Sequence, residues 1–331
     1  MKKKLIRIGF SFNISKGSAS NFLNSLRVTL KQQKIAKTSY FINPLNDCNI
    51  FANKVRNIYN KPFYFRVDGI AFDLGLNHIQ KTETNDAILF GLQKSKGVIF
   101  QSNFAKELCF KTLDSPVKNY KVIINGVDLK IFTDKGLNKR KELNIEEDAL
   151  VFVTSAKWRT HKRLEDIINT FNEYNTNNKQ TCYLIIIGTD GLSYNKNKNI
   201  IFIDRIEREE MPAYLRTANI FLFYSWLDNC PNSVIEAIAC KIPVICTNQG
   251  GTKEIIEATN GGIIVKADAP FLFKEIDLYH PPKPNYKLLL EAIDTMVNNL
   301  DYYTNCIDTD VIDINNTAKA YSDLIEETIE K

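Results

Sequence analysis

The sequence is short of the residues and segments that define several common classes of protein. Its 331 residues include three histidines, and its seven cysteines are scattered singly, without a C-x-x-C pair. A structural zinc site is therefore not expected, and isolated cysteines in odd number are typical of reduced thiols rather than of a disulfide framework. No apolar run approaches the length that crosses a bilayer, and the apolar stretch of the basic N-terminus is too short for a signal peptide. We therefore expect a cytoplasmic protein.

Charge is present in quantity but is divided unevenly along the chain. Residues 1–143 carry 25 Lys and Arg against 10 Asp and Glu, a net charge of +15, whereas the remainder carries 18 against 28, a net charge of −10. This asymmetry indicates two bodies with different partners. The basic half could face anionic lipid headgroups or a phosphorylated acceptor. Alternatively, its lysines form only a solvated surface.

Apolar runs and helical patterns alternate throughout the chain, and they predict two α/β halves. Such alternation is typical of parallel sheets with helices on both faces. The charged run 135–148 is interpreted as the linker between the halves, and the tail from residue 317 as one amphipathic helix. The predicted strands are 5–10, 38–42, 62–67, 98–101, 122–124, 149–154, 183–187, 200–203, 220–224 and 243–246, and the predicted helices are 21–33, 104–110, 164–174, 211–217 and 233–239.

The most informative segment is 224–254, YSWLDNCPNSVIEAIACKIPVICTNQGGTKE. It predicts a loop, a helix, a buried strand, and a glycine turn that opens another helix. Pro231 suits the first turn of the helix, because it lacks the N–H that would find no partner there. The free amides that follow would form an anion site at the positive end of the helix dipole. These amides belong to Asn232, Ser233 and Val234.

Two carboxylates flank this predicted anion site. Asp228 lies in the loop before it, and Glu236 lies one turn inside the helix. Backbone amides can hold phosphates, while each carboxylate can accept hydrogen bonds from a diol. The arrangement therefore predicts a phosphorylated ligand that also carries sugar hydroxyls. The structural alternative is an ordinary helix–strand unit with a chance pair of acids.

This segment resembles the donor-binding motif of retaining glycosyltransferases of family 4, which have the GT-B fold. In that motif an acidic residue and seven others precede a Glu, and a helix reading roughly EAMACG, then PVV and a GG-x-x-E turn, follow. Two departures are present: Asp228 is one methylene shorter than the usual Glu, and Lys241 stands at the usual glycine, so we expect the helix to end differently. The matching residues are Asp228, Glu236, Ala237, Ala239, Cys240, Pro243, Val244, Gly250, Gly251 and Glu254.

Further segments extend the resemblance along the chain. Lys157 and Lys162, in SAKWRTHKRLED, have the spacing of the family's Arg and Lys. Two cations beside a helix start would neutralise a leaving nucleoside diphosphate, although the segment could also be a basic solvated turn. The segment from residue 202 fits the family's nucleobase region, with Asp204 replacing a glycine, and 125–128 reads as the N-G-V-D of the inter-domain crossover. The other residues that we assign to the donor on this basis are Gly188, Arg205, Ile206 and Asn125.

The first half departs more from the family. Many relatives place a supportive His at the end of a strand in this region, where this chain has Arg66 and Asp68 in FRVDGIAFD. We expect Asp68 to take part in catalysis, and Arg66, Lys16 and Gly17 to lie on the acceptor side. The alternative is a strand-end turn with a local ion pair. None of the three histidines is assigned to catalysis.

The resemblance implies an α/β protein of the GT-B fold, with two Rossmann-like domains that face each other across a cleft. Residues 1–143 would meet the acceptor, 144–312 would bind the nucleotide-sugar, and 313–331 would form a helix returning to the first domain. The implied partners are a nucleotide-sugar donor and a glycan or lipid-linked acceptor, with peripheral contact to an anionic membrane and no nucleic acid. No cofactor or metal is implied, because lysines replace the divalent ion. Two alternatives stay open: a GT-B nucleotide-sugar epimerase and a non-catalytic nucleotide-sugar-binding protein.

Overall fold

The computed structural model describes residues 5–11, 18–55, 59–72, 78–189, 197–273 and 276–329. The strands are β1 (Arg7–Ser11), β2 (Lys37–Ser39), β3 (Cys48–Ala52), β4 (Phe63–Arg66), β5 (Gly97–Phe100), β6 (Tyr120–Val122), β7 (Leu150–Ser155), β8 (Cys182–Ile187), β9 (Ile200–Ile203), β10 (Ile220–Phe223), β11 (Val244–Thr247) and β12 (Gly262–Val265). The helices are α1 (Ser18–Gln32), α2 (His78–Lys94), α3 (Asn103–Leu113), α4 (Leu164–Asn177), α5 (Met211–Leu215), α6 (Asn232–Ala239), α7 (Thr252–Thr259), α8 (Tyr286–Asn298), α9 (Leu300–Cys306) and α10 (Ile314–Ile329).

The chain folds into two compact units, each built on a six-stranded sheet. The first sheet has the order β2-β1-β3-β4-β5-β6 and the second the order β12-β11-β10-β7-β8-β9. Neighbouring strands pair in parallel in both sheets. The second order is that of a Rossmann fold, in which the strand order reverses once. The prediction of parallel α/β sheets is therefore confirmed.

Continuous apolar runs account for the central strands. Every residue of β7, LVFVTS, is buried, and so is every residue of β10, IFLF. Strands covered on both faces need such runs rather than an alternating pattern. Local signals also hold at helix starts: Ser102 is the N-cap of α3, and its Oγ accepts a hydrogen bond from the Ala105 amide at 3.0 Å.

The second unit begins at Leu129, directly after Asp128. This boundary is earlier than the one at residue 143 that the charged run predicted. The run 135–148 is not an exposed linker, because its Arg140 is buried in the second unit. One Arg140 nitrogen donates to the Ala149 carbonyl at 3.1 Å, and the other donates to Asn219 Oδ1 at 3.1 Å. A buried guanidinium needs such acceptors. Charge density alone therefore gave a misleading boundary.

Several elements differ from the sequence expectation. The strand expected over 38–42 ends at Ser39, whose Oγ donates to the Phe41 carbonyl at 2.6 Å and turns the chain. Strands β3 and β12 and helices α2, α8 and α9 were not predicted. Strand β3 follows a run of Asn and Asp that reads as loop, and β12 begins at the second of two consecutive glycines. Both were hidden because such residues usually signal turns.

Helix α10 belongs to the first unit, where it is held at its start by residues 126–127. The Val127 amide donates to the Ile312 carbonyl at 2.8 Å, and the Ile314 amide donates to the Val127 carbonyl at 3.0 Å. Gly126 allows this approach, because a Cβ there would lie 2.7 Å from Ile314 Cα and 2.5 Å from Thr317 Oγ1. The glycine of N-G-V-D thus serves close backbone packing.

We predict that Gly126→Ala destabilises the first unit by about 1–3 kcal/mol, because the added methyl group overlaps the backbone of α10 rather than a movable side chain. Gly97→Ala is the matched control, since its Cβ would come no closer than 3.4 Å to another atom. Urea unfolding followed by circular dichroism measures both. Equal stability of the two variants would contradict the packing role of Gly126.

Candidate active site

The candidate site lies at the strand-order reversal of the second sheet, between β7 and β10. Parallel strands end at the same edge, and their outgoing connections diverge to opposite faces where the order reverses, so that a crevice opens there. Two loops leave this point, 156–163 after β7 and 224–231 after β10. They carry both predicted lysines and Asp228.

An ion pair joins the two loops. Lys162 ends a short 3-10 turn, Thr160–Lys162, and its ammonium group pairs with the Asp228 carboxylate. Lys162 Nζ also lies 5.6 Å from the ring centroid of Phe223, the last residue of β10. Lys157 is exposed in the loop after β7. The structure therefore places Lys162 and Asp228 together, with Lys157 on the same edge of the sheet.

Sequence reasoning missed Arg163, which holds the loop after β7 in place. It has a left-handed backbone (φ 56°) and is buried. Its guanidinium donates to the Tyr224 carbonyl at 3.2 Å, to Gln249 Oε1 at 3.3 Å and to the Pro282 carbonyl. Burial lowers the pKa of Arg163 to about 10, so it remains charged at neutral pH. A left-handed non-glycine residue is strained, and the burial of its side chain among acceptors stabilises it.

His161 lies beside Lys162 and is buried. Burial, with a smaller contribution from the neighbouring Lys162 charge, lowers its pKa to about 4, so the ring is neutral at physiological pH. Its carbonyl accepts a hydrogen bond from the Trp226 amide at 2.8 Å. His161 therefore connects the two loops through its backbone.

The position of Asp228 depends on the glycine turn at 250–251. The Gly251 amide donates to the Asp228 carbonyl at 2.8 Å. Gly250 has φ +80°, and a Cβ there would lie 3.0 Å from the same carbonyl oxygen. The Asp228 carboxylate in turn accepts from the Cys230 amide at 3.2 Å. The two glycines of the family motif thus fix the backbone of its first acid.

Helix α6 begins directly after this loop at Asn232, one residue before the predicted range 233–239. Pro231 is its N-cap rather than its first helical residue. The expectation of three free amides is wrong for Val234, whose N–H donates to the Pro231 carbonyl at 3.2 Å. The amides of Asn232 and Ser233 lie in the first turn, at the positive end of the helix dipole.

Glu236 is the most perturbed carboxylate of the site. Its side chain is 14% exposed, and Arg208 Nε lies 3.6 Å from Glu236 Oε1. Desolvation raises the pKa of Glu236 to about 7, and the attraction of Arg208 offsets only part of that shift. Arg208 Cζ lies 5.2 Å from the Phe132 ring centroid. Sequence reasoning missed Arg208, although a buried acid calls for a nearby cation.

The C-terminal end of α6 corrects another expectation. Lys241 adopts the left-handed conformation (φ 61°) that the family's glycine would have, so the helix ends in the usual way. The Lys241 amide donates to the Ile238 carbonyl at 2.9 Å and the Ile242 amide to the Ala237 carbonyl at 3.0 Å, which is the Schellman pattern. Lys241 Nζ donates to the Ile307 carbonyl at 2.6 Å. That bond accompanies a backbone conformation that a lysine rarely adopts.

The remaining donor candidates of this unit lie after β8 and β9. Gly188 has φ +125°, and a Cβ there would lie 1.9 Å from the Ala156 carbonyl oxygen, so the loops after β7 and β8 can touch only at a glycine. Arg205 is exposed after β9, and its amide donates to Asp204 Oδ1 at 2.6 Å. Ile206 is half-buried beside it.

Three predicted site residues form a buried network within the first unit. Arg66 is 1% exposed, and its Nε lies 2.6 Å from Asp68 Oδ1. Its terminal nitrogens donate to Asn125 Oδ1 at 3.0 Å and to the Tyr321 hydroxyl at 2.9 Å. Gln101 Nε2 also donates to Asp68 Oδ1, at 2.9 Å.

This network departs from the expected roles of two residues. Arg66 was expected to contact the acceptor, and Asn125 the donor. Neither role fits, because both side chains are buried and hydrogen-bonded inside the first unit. Burial acts to lower the pKa of Arg66, but Asp68 and the Tyr321 hydroxyl raise it overall, which keeps the guanidinium charged. Arg66 therefore positions Asp68. Of the predicted acceptor-side residues, Lys16 and Gly17 lie outside the described residues.

Among the described residues, no group of three or more His, Cys, Asp or Glu side chains is arranged to hold a metal ion. None of the described helices is both long enough and apolar enough to cross a membrane.

Comparison with known proteins connects this site to a family. Residues 137–276 match the family model of "Glycosyl transferases group 1". The N-acetyl-alpha-D-glucosaminyl L-malate synthase of Bacillus anthracis is 25% identical over 191 residues, which cover 54% of this chain and 49% of that protein. The UDP-Gal:alpha-D-GlcNAc-diphosphoundecaprenol alpha-1,3-galactosyltransferase of Escherichia coli is 24% identical over 212 residues, 60% of this chain and 55% of that protein. The matches therefore span about half the length of these relatives.

A solved structure extends the likeness to the whole chain. The sucrose-phosphate synthase of Thermosynechococcus elongatus superimposes with a TM-score of 0.74, over 99% of this chain and 100% of that one, at 13% sequence identity. Identity this low shows the fold alone. The GT-B fold expected from the sequence is confirmed.

The raised pKa of Glu236 predicts a pH-dependent stability penalty. Between its ordinary value of 4.5 and its folded value of about 7, the unfolded chain releases the proton first, so rising pH favours unfolding until the penalty is complete above pH 7. Glu236→Gln should therefore raise stability by roughly 1–3 kcal/mol at alkaline pH and have little effect near the ordinary carboxyl pKa. Thermal unfolding at several pH values measures this, with the exposed Glu209→Gln as control. An equal effect of Glu236→Gln at acidic and alkaline pH would contradict it.

Proposed function

We propose that this protein is a retaining glycosyltransferase that moves a hexosyl group from a nucleoside-diphosphate-sugar to a hydroxyl group of a glycan or lipid-linked acceptor. The observation that carries the proposal is the meeting of the Lys162–Asp228 pair and the first turn of α6 at the strand-order reversal. That crevice is where open α/β sheets bind nucleotides. Cations and first-turn amides suit a diphosphate, and carboxylates suit sugar hydroxyls.

Each donor-side residue has a chemical role in this proposal. Glu236, held near Arg208, would accept hydrogen bonds from the ribose diol. The amides of Asn232 and Ser233, with Lys157 and Lys162, would hold the diphosphate. Asp228 would bind hydroxyls of the transferred sugar while its other oxygen keeps the bond from the Cys230 amide. Because the Escherichia coli relative is named for a UDP-Gal donor, we infer a UDP-sugar here as well.

Catalysis would rest on charge and orientation rather than on a covalent intermediate. As the bond between the sugar and the phosphate breaks, negative charge grows on the leaving diphosphate, and the two lysines stabilise that charge. The acceptor hydroxyl attacks from the same face and gives its proton to the leaving phosphate, so the anomeric configuration is retained. No metal ion is required in this scheme, because Lys157 and Lys162 supply the positive charge.

The acceptor would be met by the first unit. Asp68, fixed by Arg66 and Gln101, would orient the acceptor hydroxyl. The name of the Escherichia coli relative specifies a diphosphoundecaprenol-linked acceptor. With the net charge of +15 on residues 1–143, this supports a lipid-linked acceptor and peripheral contact with an anionic leaflet.

Two other functions make different predictions in one experiment. A nucleotide-sugar epimerase would convert its donor without any acceptor, and a non-catalytic binder would bind a donor without turning it over. A panel of nucleotide-sugars screened by thermal shift identifies the donor, because a ligand that binds the folded state raises the melting temperature. Product analysis with and without membrane-extracted acceptors then separates the three functions.

We predict that Glu236→Gln weakens UDP binding while the protein stays folded. Loss of a charged hydrogen-bond acceptor costs roughly 1.5–3 kcal/mol, which is about 10- to 150-fold in the dissociation constant. Isothermal titration calorimetry with UDP measures the loss, and Glu209→Gln serves as the matched control. Unchanged affinity for UDP would remove Glu236 from the site. Asp228→Asn should instead lower turnover, since its proposed partner is the sugar.

Lys162→Ala should depress kcat by on the order of 100-fold, with a smaller effect on donor binding, because the diphosphate charge grows in the transition state. Release of UDP during transfer measures turnover, and the exposed Lys179→Ala is the control. EDTA should leave the parent enzyme active. A strict requirement for added Mg²⁺ or Mn²⁺ would assign the neutralising charge to a metal instead.

A further inference from the structure

The loop between β2 and β3, residues 40–47, carries two of the most exposed large apolar side chains of the first unit. Phe41 is 74% exposed and Leu45 is 70% exposed. Isolated exposed apolar residues are ordinary on protein surfaces. Here, however, two of them lie four residues apart on one short loop. The contacts that hold the loop show whether its structure requires these side chains.

Polar groups, not these apolar side chains, hold the loop in place. The Phe41 carbonyl accepts hydrogen bonds from Ser39 Oγ at 2.6 Å and from Asn46 Nδ2 at 3.1 Å. The Leu45 amide donates to Asn43 Oδ1 at 2.9 Å. The loop is therefore ordered without burying either apolar side chain. Nothing in its construction requires a Phe or a Leu at these two positions.

The loop covers the face of the first sheet opposite α1 and α10. Ile8 and Phe10 of β1 pack into the cluster that includes both helices. Successive strand residues point to opposite faces, so Gly9 faces the other side. A Cβ on Gly9 would lie 2.1 Å from Asn46 Nδ2. Asn46 thus rests on the sheet, and the loop follows the surface of the unit.

Positive charge accompanies this apolar pair. Residues 1–55 include ten Lys and Arg and a single acid, Asp47. Lys37, the first residue of β2, and Arg7, its register partner in β1, are both exposed. The buried Arg27 stacks on Tyr40 at the base of the loop, with its Cζ 3.5 Å from the ring centroid. Protruding apolar residues within a basic surface match an anionic bilayer, which offers both hydrocarbon and negative headgroups.

We propose that the β2–β3 loop inserts Phe41 and Leu45 into the interface of an anionic membrane, with the surrounding lysines and arginines on the headgroups. The inference deepens the proposed function, on which it rests for the need to reach a lipid-linked acceptor. Two inserted side chains and a screened charge attraction give reversible attachment rather than permanent anchoring. The contact would hold the first unit at the surface from which such an acceptor projects.

Binding of the full chain to vesicles tests the proposal. The parent should float with phosphatidylcholine vesicles that contain phosphatidylglycerol, and not with phosphatidylcholine alone. Added salt should weaken the binding, because the Debye length is about 8 Å at physiological salt and shorter above it. The double variant Phe41→Ser/Leu45→Ser should bind about tenfold more weakly or worse. Leu137→Ser is the matched control, since Leu137 is 84% exposed but belongs to the second unit.

Insertion itself is measured with a tryptophan reporter. The two native tryptophans, Trp158 and Trp226, are buried, so Phe41→Trp adds an exposed indole. On anionic vesicles its emission should shift to the blue and be quenched by brominated lipid, whereas the indole of Leu137→Trp should not respond. Vesicle binding without such quenching, or a double variant that binds like the parent, would overturn the proposal. Concentration-dependent dimerisation that the double variant abolishes would assign the loop to a second copy of the chain.

The design separates this inference from the proposed function. The double variant should bind UDP like the parent, because the loop belongs to the first unit and the donor residues to the second. If the parent fails to bind UDP, the proposed function fails whatever the vesicles show. If UDP binds but the loop does not insert, only the membrane contact is lost.

Discussion

Six parallel strands can be covered by helices on both faces only if the order of strand addition reverses, and in the second unit that reversal separates β7 from β10. The charged residues of the candidate site then lie where these two strands end. Gly250 lets the turn at 250–251 reach the Asp228 backbone, and Gly188 lets the loop after β8 touch the loop after β7. The buried guanidinium of Arg163 donates hydrogen bonds to the carbonyls of Tyr224 and Pro282 and so holds the loop after β7. Each is a condition for Lys162 and Asp228 to meet.

The two carboxylates of this site differ in how their charges are compensated. Asp228 is paired with a lysine and accepts from an amide, so its charge is compensated within the protein. Glu236 is largely desolvated, which raises its pKa to about 7 although Arg208 acts to lower it. A carboxylate kept under-solvated gains more from a ligand that donates hydrogen bonds than a fully satisfied one does. Such groups occur where function outweighs local stability.

Sequence reasoning predicted the fold of the second unit, and the segments that carry Lys162 and Asp228, because their signals are local. Buried strands read as apolar runs, and the helix after Pro231 reads from its cap. It could not reach the Arg208–Glu236 pair, whose members are far apart in sequence and meet only when β9 and β10 are in place. The Arg66 network was invisible for the same reason, since Tyr321 reaches Arg66 from the last helix. The charged run 135–148 misled because composition does not show that Arg140 is buried.

Each departure from the family motif is accommodated by contacts of the changed residue itself. Lys241 takes the left-handed backbone of the glycine it replaces and bonds the Ile307 carbonyl. Asp204 accepts from the amide of the next residue. Asp228, though one methylene shorter than Glu, still reaches Lys162. Because none of the three changes alters the course of the chain, they do not by themselves argue for a degenerate, non-catalytic site. A shorter acid held by a lysine would instead change which sugar hydroxyls it can reach.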